Sequence, residues 1–364
     1  MIPAYVEALV HEVNFVGNQL PITRPPNNST AHTIFFGGGT PSLLSPEHFL
    51  SIFNAIRNNF MLTDDAEITT EANPGTVSYD NLLRLRKIGL NRISYGVQST
   101  NPGELRMLER AHDFFDVIEA VASARRAGYE NLNLDLIYGL PEQTLRTWQT
   151  TVRRILDLHP EHISAYALTL EHGTPFGRWA VRGLLPLPDP DLAAEMYEWL
   201  TEALEASGYL QYEISNWAKP GYECRHNLQY WRGLPYLALG AGAHGYAGGF
   251  RYSNVLRIKT YIERLTKPEY GYHDFPLTPA AVNQHRQSLQ DDMSEFMMTG
   301  LRLTREGVSE ADFQTRFGTS IREVYAKEIQ ELVAAGLLGK GPEERFRLTK
   351  RGRLLGNRVF MRFI

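Results

Sequence analysis

Three polar residues stand at the ends of apolar segments, at a nearly regular spacing along the 364-residue chain. Glu71, Gln98 and Asp135 follow Gly39 at successive intervals of 32, 27 and 37 residues. Carboxylate and amide side chains can hold the hydroxyl and amino groups of a small ligand. Arg110, which lies after Gln98, can pair with a ligand carboxylate in a forked geometry. These residue types together suit a small zwitterionic ligand that carries hydroxyl groups.

Each of these side chains also has an ordinary structural explanation. An acidic residue at the end of a strand is commonly the N-cap of the next helix. A single Gln or Arg is commonly a surface or packing residue. The functional hypothesis therefore depends on the common spacing, which corresponds to one strand and one helix per step.

A glycine-rich segment precedes these residues. In "IFFGGGTPSLL", residues 34–44, an apolar stretch runs into Gly37, Gly38 and Gly39, which Thr40 follows. Glycine loses more conformational freedom on folding than any other residue, so three in a row indicate a bend, a positive φ angle or a ligand against bare amides. The glycines alone do not distinguish these three explanations.

Strands and helices alternate over the first 170 residues. Apolar and β-branched runs predict strands at 32–37, 67–72, 92–98, 131–139 and 162–170. Amphipathic periodicity predicts the helices between them, at 46–59, 78–88, 115–127 and 144–157. Short connections of this kind predict parallel strands, as an open sheet or a barrel. In a parallel barrel the carboxyl ends of the strands meet at one mouth, so the glycines and polar residues would share one cavity. Because the opening segment "AYVEALVHEVNF" already looks helical, the repeat lacks its first strand.

The composition is that of an ordinary globular protein. The net charge is −4 with 43% hydrophobic residues, which gives no general attraction to nucleic acid or to an anionic membrane. No apolar run approaches the length of a membrane span, and there is no signal-like segment. Cys224 is the only cysteine, which excludes an internal disulfide and fits a reducing cytoplasm.

At these motifs the chain resembles a known family. "GGGTPSLL", "EANPGT", "NRISYGVQS" and "LDLIYGLPEQT" are similar to segments of the radical-SAM enzymes of the oxygen-independent coproporphyrinogen oxidase family. The resemblance implies an α/β fold, a partial (β/α)6 radical-SAM barrel whose first strand is missing here. It also implies S-adenosylmethionine contacts at Gly38, Gly39, Thr40, Glu71, Gln98, Arg110, Asp135 and, less directly, Ala167.

The chain departs from this family at its front. The family places three cysteines, spaced C-x3-C-x2-C, after the first strand, where they hold a [4Fe–4S] cluster. Thiolates are what such a cluster needs, and Cys224 alone cannot supply them. We expect either a chain start placed about thirty residues late or, as the alternative, a relative without a cluster. The chain as given should not cleave adenosylmethionine reductively.

A second informative segment is "KPGYECRHNLQYWRG", residues 219–233. His226 offers an imidazole for iron, the rings of Tyr230 and Trp231 offer flat surfaces for a porphyrin, and Arg225 and Arg232 could meet its propionates. On chemistry alone, a histidine beside aromatic residues is more often a packing residue.

The spelling of this segment changes that balance. H-N-x-x-Y-W resembles the signature of the heme-chaperone branch of the family, which implies heme contacts at His226, Asn227, Tyr230 and Trp231. The same resemblance makes Cys224 an uncertain neighbour of the heme.

The remaining segments add one false motif and one separate module. "GAGAHG", residues 240–245, has the dinucleotide-binding spelling, but no helix follows it, so we interpret its glycines as close backbone packing. From about residue 285, three short helices and a small β-wing over residues 345–360 predict a winged-helix-like C-terminal domain. The expected domains are residues 1–172 (barrel core), 173–284 (barrel extension with the H-N-x-x-Y-W segment) and 285–364.

The resulting functional expectation is a heme chaperone on an adenosylmethionine-binding scaffold, which passes heme to an acceptor hemoprotein. The resemblance suggests a respiratory acceptor and a cytoplasmic location. The alternative is an oxidase that decarboxylates coproporphyrinogen III. A third, less favoured hypothesis is nucleic-acid binding by the C-terminal tail, where residues 340–364 hold eight Lys or Arg against two acids.

Overall fold

A computed structural model describes residues 1–20, 30–170, 177–178, 182–183, 188–266 and 273–364. Its main sheet has seven strands in the order β1-β2-β3-β4-β5-β7-β6. The strands are β1 (Thr30–Phe36), β2 (Met61–Ala72), β3 (Arg92–Gln98), β4 (Asn131–Tyr138), β5 (His162–Ala167), β6 (Leu210–Glu213) and β7 (Asn216–Ala218). Strands β1 to β5 are parallel, and β7 joins β5 in the antiparallel direction. The sheet curls into a half-barrel, which confirms the predicted partial barrel.

Helices connect the parallel strands. Those over the first 206 residues are α1 (Ile2–Gln19), α2 (Pro46–Asn59), α3 (Tyr79–Ile88), α4 (Pro102–Met107), α5 (Phe114–Arg126), α6 (Leu145–Leu156) and α7 (Pro190–Ala206). Ser45, Ser78, Asp113 and Thr144 each cap the helix that follows them, which fixes where the chain leaves a strand end. The four helices predicted between strands are confirmed to within two residues, and β2 begins six residues earlier than predicted.

The apolar core lies between the sheet and these helices. Phe53 of α2, Leu134 of β4 and Trp148 of α6 are fully buried there. Burial of such side chains contributes about 2 kcal/mol each to folding. The core therefore holds the strands in place from outside the barrel, and leaves the inner face of the sheet to other side chains.

A smaller sheet follows the helix that carries the H-N-x-x-Y-W motif. The elements are α8 (Arg225–Trp231), β8 (His244–Ala247), β9 (Phe250–Asn254), α9 (Ile258–Leu265) and β10 (Ala281–Arg286), with strand order β10-β9-β8. The "GAGAHG" segment leads into β8 rather than into a helix. A side chain at Gly240 would meet the Tyr5 hydroxyl at 2.8 Å, so the packing interpretation is confirmed.

Glu12 of α1 ties this region to the barrel. Its buried carboxylate accepts hydrogen bonds from the Gly240 amide (2.7 Å), Asn254 Nδ2 (2.8 Å), the Tyr261 hydroxyl (2.6 Å) and the Thr278 hydroxyl (2.8 Å). Burial raises the pKa of Glu12, although the four donors oppose that shift. One carboxylate thus satisfies donors from four separate positions along residues 240–278.

The C-terminal region has its own core. Its elements are α10 (Leu289–Gly300), β11 (Val308–Ser309), α11 (Glu310–Phe317), α12 (Ile321–Ala334), β12 (Leu338–Lys340), β13 (Arg345–Leu348), α13 (Lys350–Leu354) and α14 (Gly356–Phe360). Met297, Phe313 and Phe346 are buried together, and β11, β13 and β12 form one sheet. The wing predicted over 345–360 is wrong beyond residue 348, because Thr349 caps a helix there.

Several of the basic residues of this tail make contacts within the protein. Arg345 pairs with Asp312 and Glu343, and Arg362 pairs with Glu331. Arg353 donates to Gln211 Oε1 at 2.7 Å. A phosphate backbone would have to displace these partners, which counts against the nucleic-acid hypothesis.

The three-domain division stays a prediction. The boundary between residues 172 and 173 lies outside the described residues, and the one between 284 and 285 falls within β10. None of the helices in the described segments is long and apolar enough to span a bilayer.

Replacing Glu12 by alanine is expected to lower the free energy of unfolding by about 3 kcal/mol, because four buried donors lose their acceptor. Urea unfolding of the parent and the variant measures this difference. Glu7→Ala is the matched control, since Glu7 is exposed on the same helix. Equal stability of the two variants would contradict the role given to Glu12.

Candidate functional site

A cavity of about 570 Å³ opens at the carboxyl ends of the parallel strands. It brings together residues that were predicted separately for two ligands. From the predicted adenosylmethionine set it is lined by Glu71, Gln98, Asp135 and Ala167, and from the predicted heme set by His226, Asn227 and Tyr230. The two predicted sites are therefore parts of one continuous space.

Gly38, Gly39 and Thr40 are not among the cavity-lining residues, but their loop contacts one of those residues, Glu71. Gly38 has a φ angle of 111°, which only glycine adopts easily, and its amide donates to Glu71 Oε2 at 3.1 Å. A side chain built on Gly39 would meet no atom within 4 Å. Packing among the described residues therefore gives no reason for a glycine at position 39, which leaves room for a ligand against this backbone. Thr40 stands at the start of the short 3-10 helix Pro41–Leu43.

The carboxyl groups of Glu71 and Asp135 both line the cavity, and the charge of Asp135 acts on Glu71. Burial, together with the charge of Asp135, raises the pKa of Glu71 to about 7. Burial also raises the pKa of Asp135, against hydrogen bonds from Ser94 (2.9 Å) and Asn133 (2.7 Å). Near neutral pH this pair can therefore both accept and donate hydrogen bonds.

The side chain of Gln98 lines the cavity, whereas that of Arg110 does not. Gln98 has a φ angle of 67° and follows a register shift between β3 and β4, which turns its side chain toward the cavity. A left-handed conformation at a non-glycine residue is strained, and such strain is concentrated at functional positions. Arg110 is not among the cavity-lining residues. Its Nη1 donates to Asn73 Oδ1 at 3.0 Å. Burial lowers the pKa of Arg110, and the charge of Asp135 opposes this shift.

Sequence reasoning missed the polar inner face of the barrel. Asn133 donates to Ser94 Oγ (2.7 Å), its Oδ1 lies 2.6 Å from His162 Nδ1, and His162 Nε2 lies 2.8 Å from the Tyr212 hydroxyl. Ser164 also donates to Asn133 Oδ1. The signal was available, because polar residues recur at alternate positions in these strands, as at 131, 133 and 135 in β4, whereas buried parallel strands are ordinarily apolar throughout.

His226 is held in one orientation by three contacts. Its Nδ1 lies 2.8 Å from Thr33 Oγ1, its Nε2 lies 2.8 Å from the Tyr230 hydroxyl, and its ring stacks on Phe35 at 5.1 Å. Burial lowers the pKa of His226 to about 4, with smaller effects from Glu67 and Arg92. The imidazole is therefore neutral at physiological pH, as iron coordination requires, but both of its nitrogens are already hydrogen bonded.

Glu67 of β2 fixes the helix that carries His226. Its carboxylate accepts the amides of Arg225 (3.0 Å) and His226 (3.0 Å) and lies 3.5 Å from the Cys224 sulfur. Negative charge at a helix N-terminus is stabilising. The motif helix is thus anchored directly on the edge of the half-barrel.

Other predicted residues of this segment lie outside the cavity lining. Trp231 packs against a buried cluster that includes Leu228 and Leu303 and lies under the Arg302 guanidinium at 4.3 Å, so its contact with heme stays a prediction. Arg225 pairs with Asp65, and Arg232 pairs with Glu306. These two arginines are therefore engaged elsewhere than in the cavity where propionates would meet them.

The residues present do not fit a [4Fe–4S] cluster. Cys224 is the one cysteine of the chain, and its buried thiol has a pKa raised to about 12. No group of His, Cys, Asp and Glu among the described residues could hold a metal ion. The described residues therefore offer no ligand set for the cluster that the family implies.

Comparisons with known proteins define the class first. Residues 24–155 match the Radical SAM superfamily, and residues 287–355 match the HemN C-terminal domain. The solved structure of Escherichia coli HemN, a coproporphyrinogen III oxidase and radical SAM enzyme, superposes with a TM-score of 0.80. It covers 100% of this chain and 83% of that one at 23% identity, which shows the fold alone. The chain is a radical SAM protein of the HemN-like type.

Closer relatives then give the particular family. The heme chaperone HemW of Bacillus subtilis is 39% identical over 91% of this chain and 85% of its own length. HemW of Lactococcus lactis is 36% identical over 100% of this chain and 90% of its own length. This chain belongs to the HemW family.

Glu71→Gln is expected to change how stability depends on pH. Because the folded pKa of Glu71 is raised to about 7, its contribution is fully present below the unfolded pKa and is lost as pH rises through 7. Between about pH 5 and about pH 8, the parent should lose about 1 to 2 kcal/mol relative to the variant, less than the full shift since Glu71 is partly exposed. Urea unfolding at both pH values measures this, and parallel pH profiles would contradict the assignment.

Proposed function

We propose that this protein is a heme chaperone, which binds heme in the cavity at His226 and transfers it to an acceptor hemoprotein. The observation that carries the proposal is the neutral His226 on the wall of a cavity of about 570 Å³, in a chain 36–39% identical to HemW proteins. A neutral imidazole can coordinate iron, and Phe35 and Tyr230 offer aromatic surfaces beside it.

Adenosylmethionine is the second proposed ligand. Gly38, Gly39 and Thr40 would lie beside its methionine end, Arg110 would pair with its carboxylate, and Glu71, Gln98, Asp135 and Ala167 would surround its ribose and adenine. The open space in front of Gly39 and the buried acids support this set. In the family adenosylmethionine supplies radical chemistry at an iron–sulfur cluster, and no step through that cluster follows from the residues of this chain.

The alternative function is oxidative decarboxylation of coproporphyrinogen III. The fold of HemN supports it, and the lower identity to HemN makes it the less favoured proposal. An oxidase would turn over its substrate to protoporphyrinogen, whereas a chaperone would bind heme stoichiometrically. We further propose a cytoplasmic location, a respiratory hemoprotein as the acceptor, and the three domains 1–172, 173–284 and 285–364 as the structural units.

A heme titration followed by absorbance is expected to show a saturable Soret shift with a single heme per chain. His226→Ala should weaken binding by at least about tenfold, because the iron loses its nitrogen ligand. His285→Ala is the matched control, since His285 is an exposed histidine bonded to Asp291. Heme-loaded protein should then transfer heme to an added apo-hemoprotein.

Two outcomes would contradict this proposal. If the parent and His226→Ala titrate alike, heme does not use His226. If the protein forms protoporphyrinogen from coproporphyrinogen III and His226→Ala turns over normally, the oxidase is the correct function.

Tyr230→Phe is expected to raise heme affinity about fivefold, because removal of the hydroxyl frees His226 Nε2 from a hydrogen bond worth about 1 kcal/mol. Tyr236→Phe is the control, since the Tyr236 ring lies 4.4 Å from Tyr230 and its hydroxyl accepts from Arg251. The same titration measures both variants. Weaker binding by Tyr230→Phe would mean that the hydroxyl contacts heme rather than competes with it.

A further inference from the structure

Arg92 is a fully buried cation that neither functional site has used. It begins β3, its side chain lines the cavity, and it is 2% exposed. Its Nε has no hydrogen-bond partner. A buried guanidinium carries five donors, and leaving them unsatisfied is costly.

The neighbours of Arg92 act on it only through space. Burial lowers the pKa of Arg92, and the nearby Cys224, Glu67, Tyr212 and Asp135 together raise it above its ordinary value. None of the described carboxylates forms an ion pair or a hydrogen bond with it. The Glu67 carboxylate instead accepts hydrogen bonds from the amides of Arg225 and His226. The Asp135 carboxylate accepts from Ser94 and Asn133.

The position of Arg92 is at the His226 end of the cavity. Its charge lowers the pKa of His226, and it is close to Cys224, the residue that precedes the motif helix. Arg110 stands in contrast on the strand-end side, bonded to Asn73. Among the described residues that line the cavity, Arg92 is the one arginine or lysine, and no described carboxylate pairs with it.

We propose that Arg92 binds a carboxylate of the ligand in this cavity, and that this carboxylate is a propionate of the porphyrin. The proposal rests on the proposed heme function. A guanidinium takes a carboxylate in a bidentate geometry, which would satisfy the donors that the protein leaves free. The two arginines that the sequence indicated for propionates, Arg225 and Arg232, are already paired with Asp65 and Glu306.

The test compares heme with heme dimethyl ester, in which both propionates are esterified. The parent should bind heme at least about tenfold more tightly than the ester, because the ester cannot form a charged hydrogen bond. Arg92→Met should lose that preference and bind the ester as the parent does. Arg92→Lys should restore part of it, since the charge remains without the fork. Arg232→Met, outside the cavity, is the matched control.

Adenosylmethionine also carries a carboxylate, so calorimetry with this ligand separates the two sources. Loss of heme preference with unchanged adenosylmethionine binding supports the propionate. Loss of adenosylmethionine binding with an unchanged heme preference overturns the propionate and assigns Arg92 to the other carboxylate. Unchanged binding of both ligands overturns the proposal.

Failure of the proposed function gives a different result. If the parent binds neither heme nor its ester, the proposed heme-chaperone function is wrong. If the parent binds both equally, only the proposed role of Arg92 is wrong. If Arg92→Met does not fold, the comparison of heme with its ester on the parent still decides, since equal affinities exclude a cation that recognises propionate.

Discussion

The carboxylate of Glu67 is the contact on which the site depends. Its two oxygens accept the first amides of α8, and so attach the motif helix to β2. Thr33 and His32 of β1 reinforce this attachment through His226 and Gln229. Without it α8 would lack these hydrogen bonds to β2, and its first amides would need other acceptors. With it, one wall of the cavity is the helix and the opposite wall is the sheet.

The sequence was sufficient to predict the pattern of strands and helices, their alternation and the position of the strand-end residues. The reason is that hydrophobic periodicity and capping residues are local signals. The convergence of Glu71, Gln98 and Asp135 followed from the predicted parallel topology, whereas Ala167 entered the predicted set only through the resemblance to the family. What the sequence could not give was long-range pairing. Arg225 and Arg232 look like free cations in the printed chain, and only the fold brings Asp65 and Glu306 to them.

The interior of the half-barrel differs from that of an ordinary parallel barrel. Polar side chains from β3, β4 and β5 form a connected network through Ser94, Asn133 and His162. A network of this kind is rigid where all of its hydrogen bonds are formed. A ligand gains most binding energy where it supplies a partner to a member that lacks one. Glu71, which accepts from the glycine loop, and Arg92, which lies near Cys224 at the start of α8, mark a division between an acid and a cation at different positions in the cavity. One ligand with both charges, or two ligands side by side, would match that division.

The double hydrogen bonding of His226 also bears on the kinetics of exchange. A ligand that coordinates Nε2 must displace the Tyr230 hydroxyl, and the hydroxyl can return when the iron leaves. An internal competitor of this kind lowers the net affinity for the ligand. It also gives His226 Nε2 a hydrogen-bond partner as soon as the ligand leaves. A carrier differs from a storage protein in that it must release its cargo on the timescale of an encounter. In the proposed heme site, the tyrosine four residues after the histidine would provide that reversibility within a single helical turn.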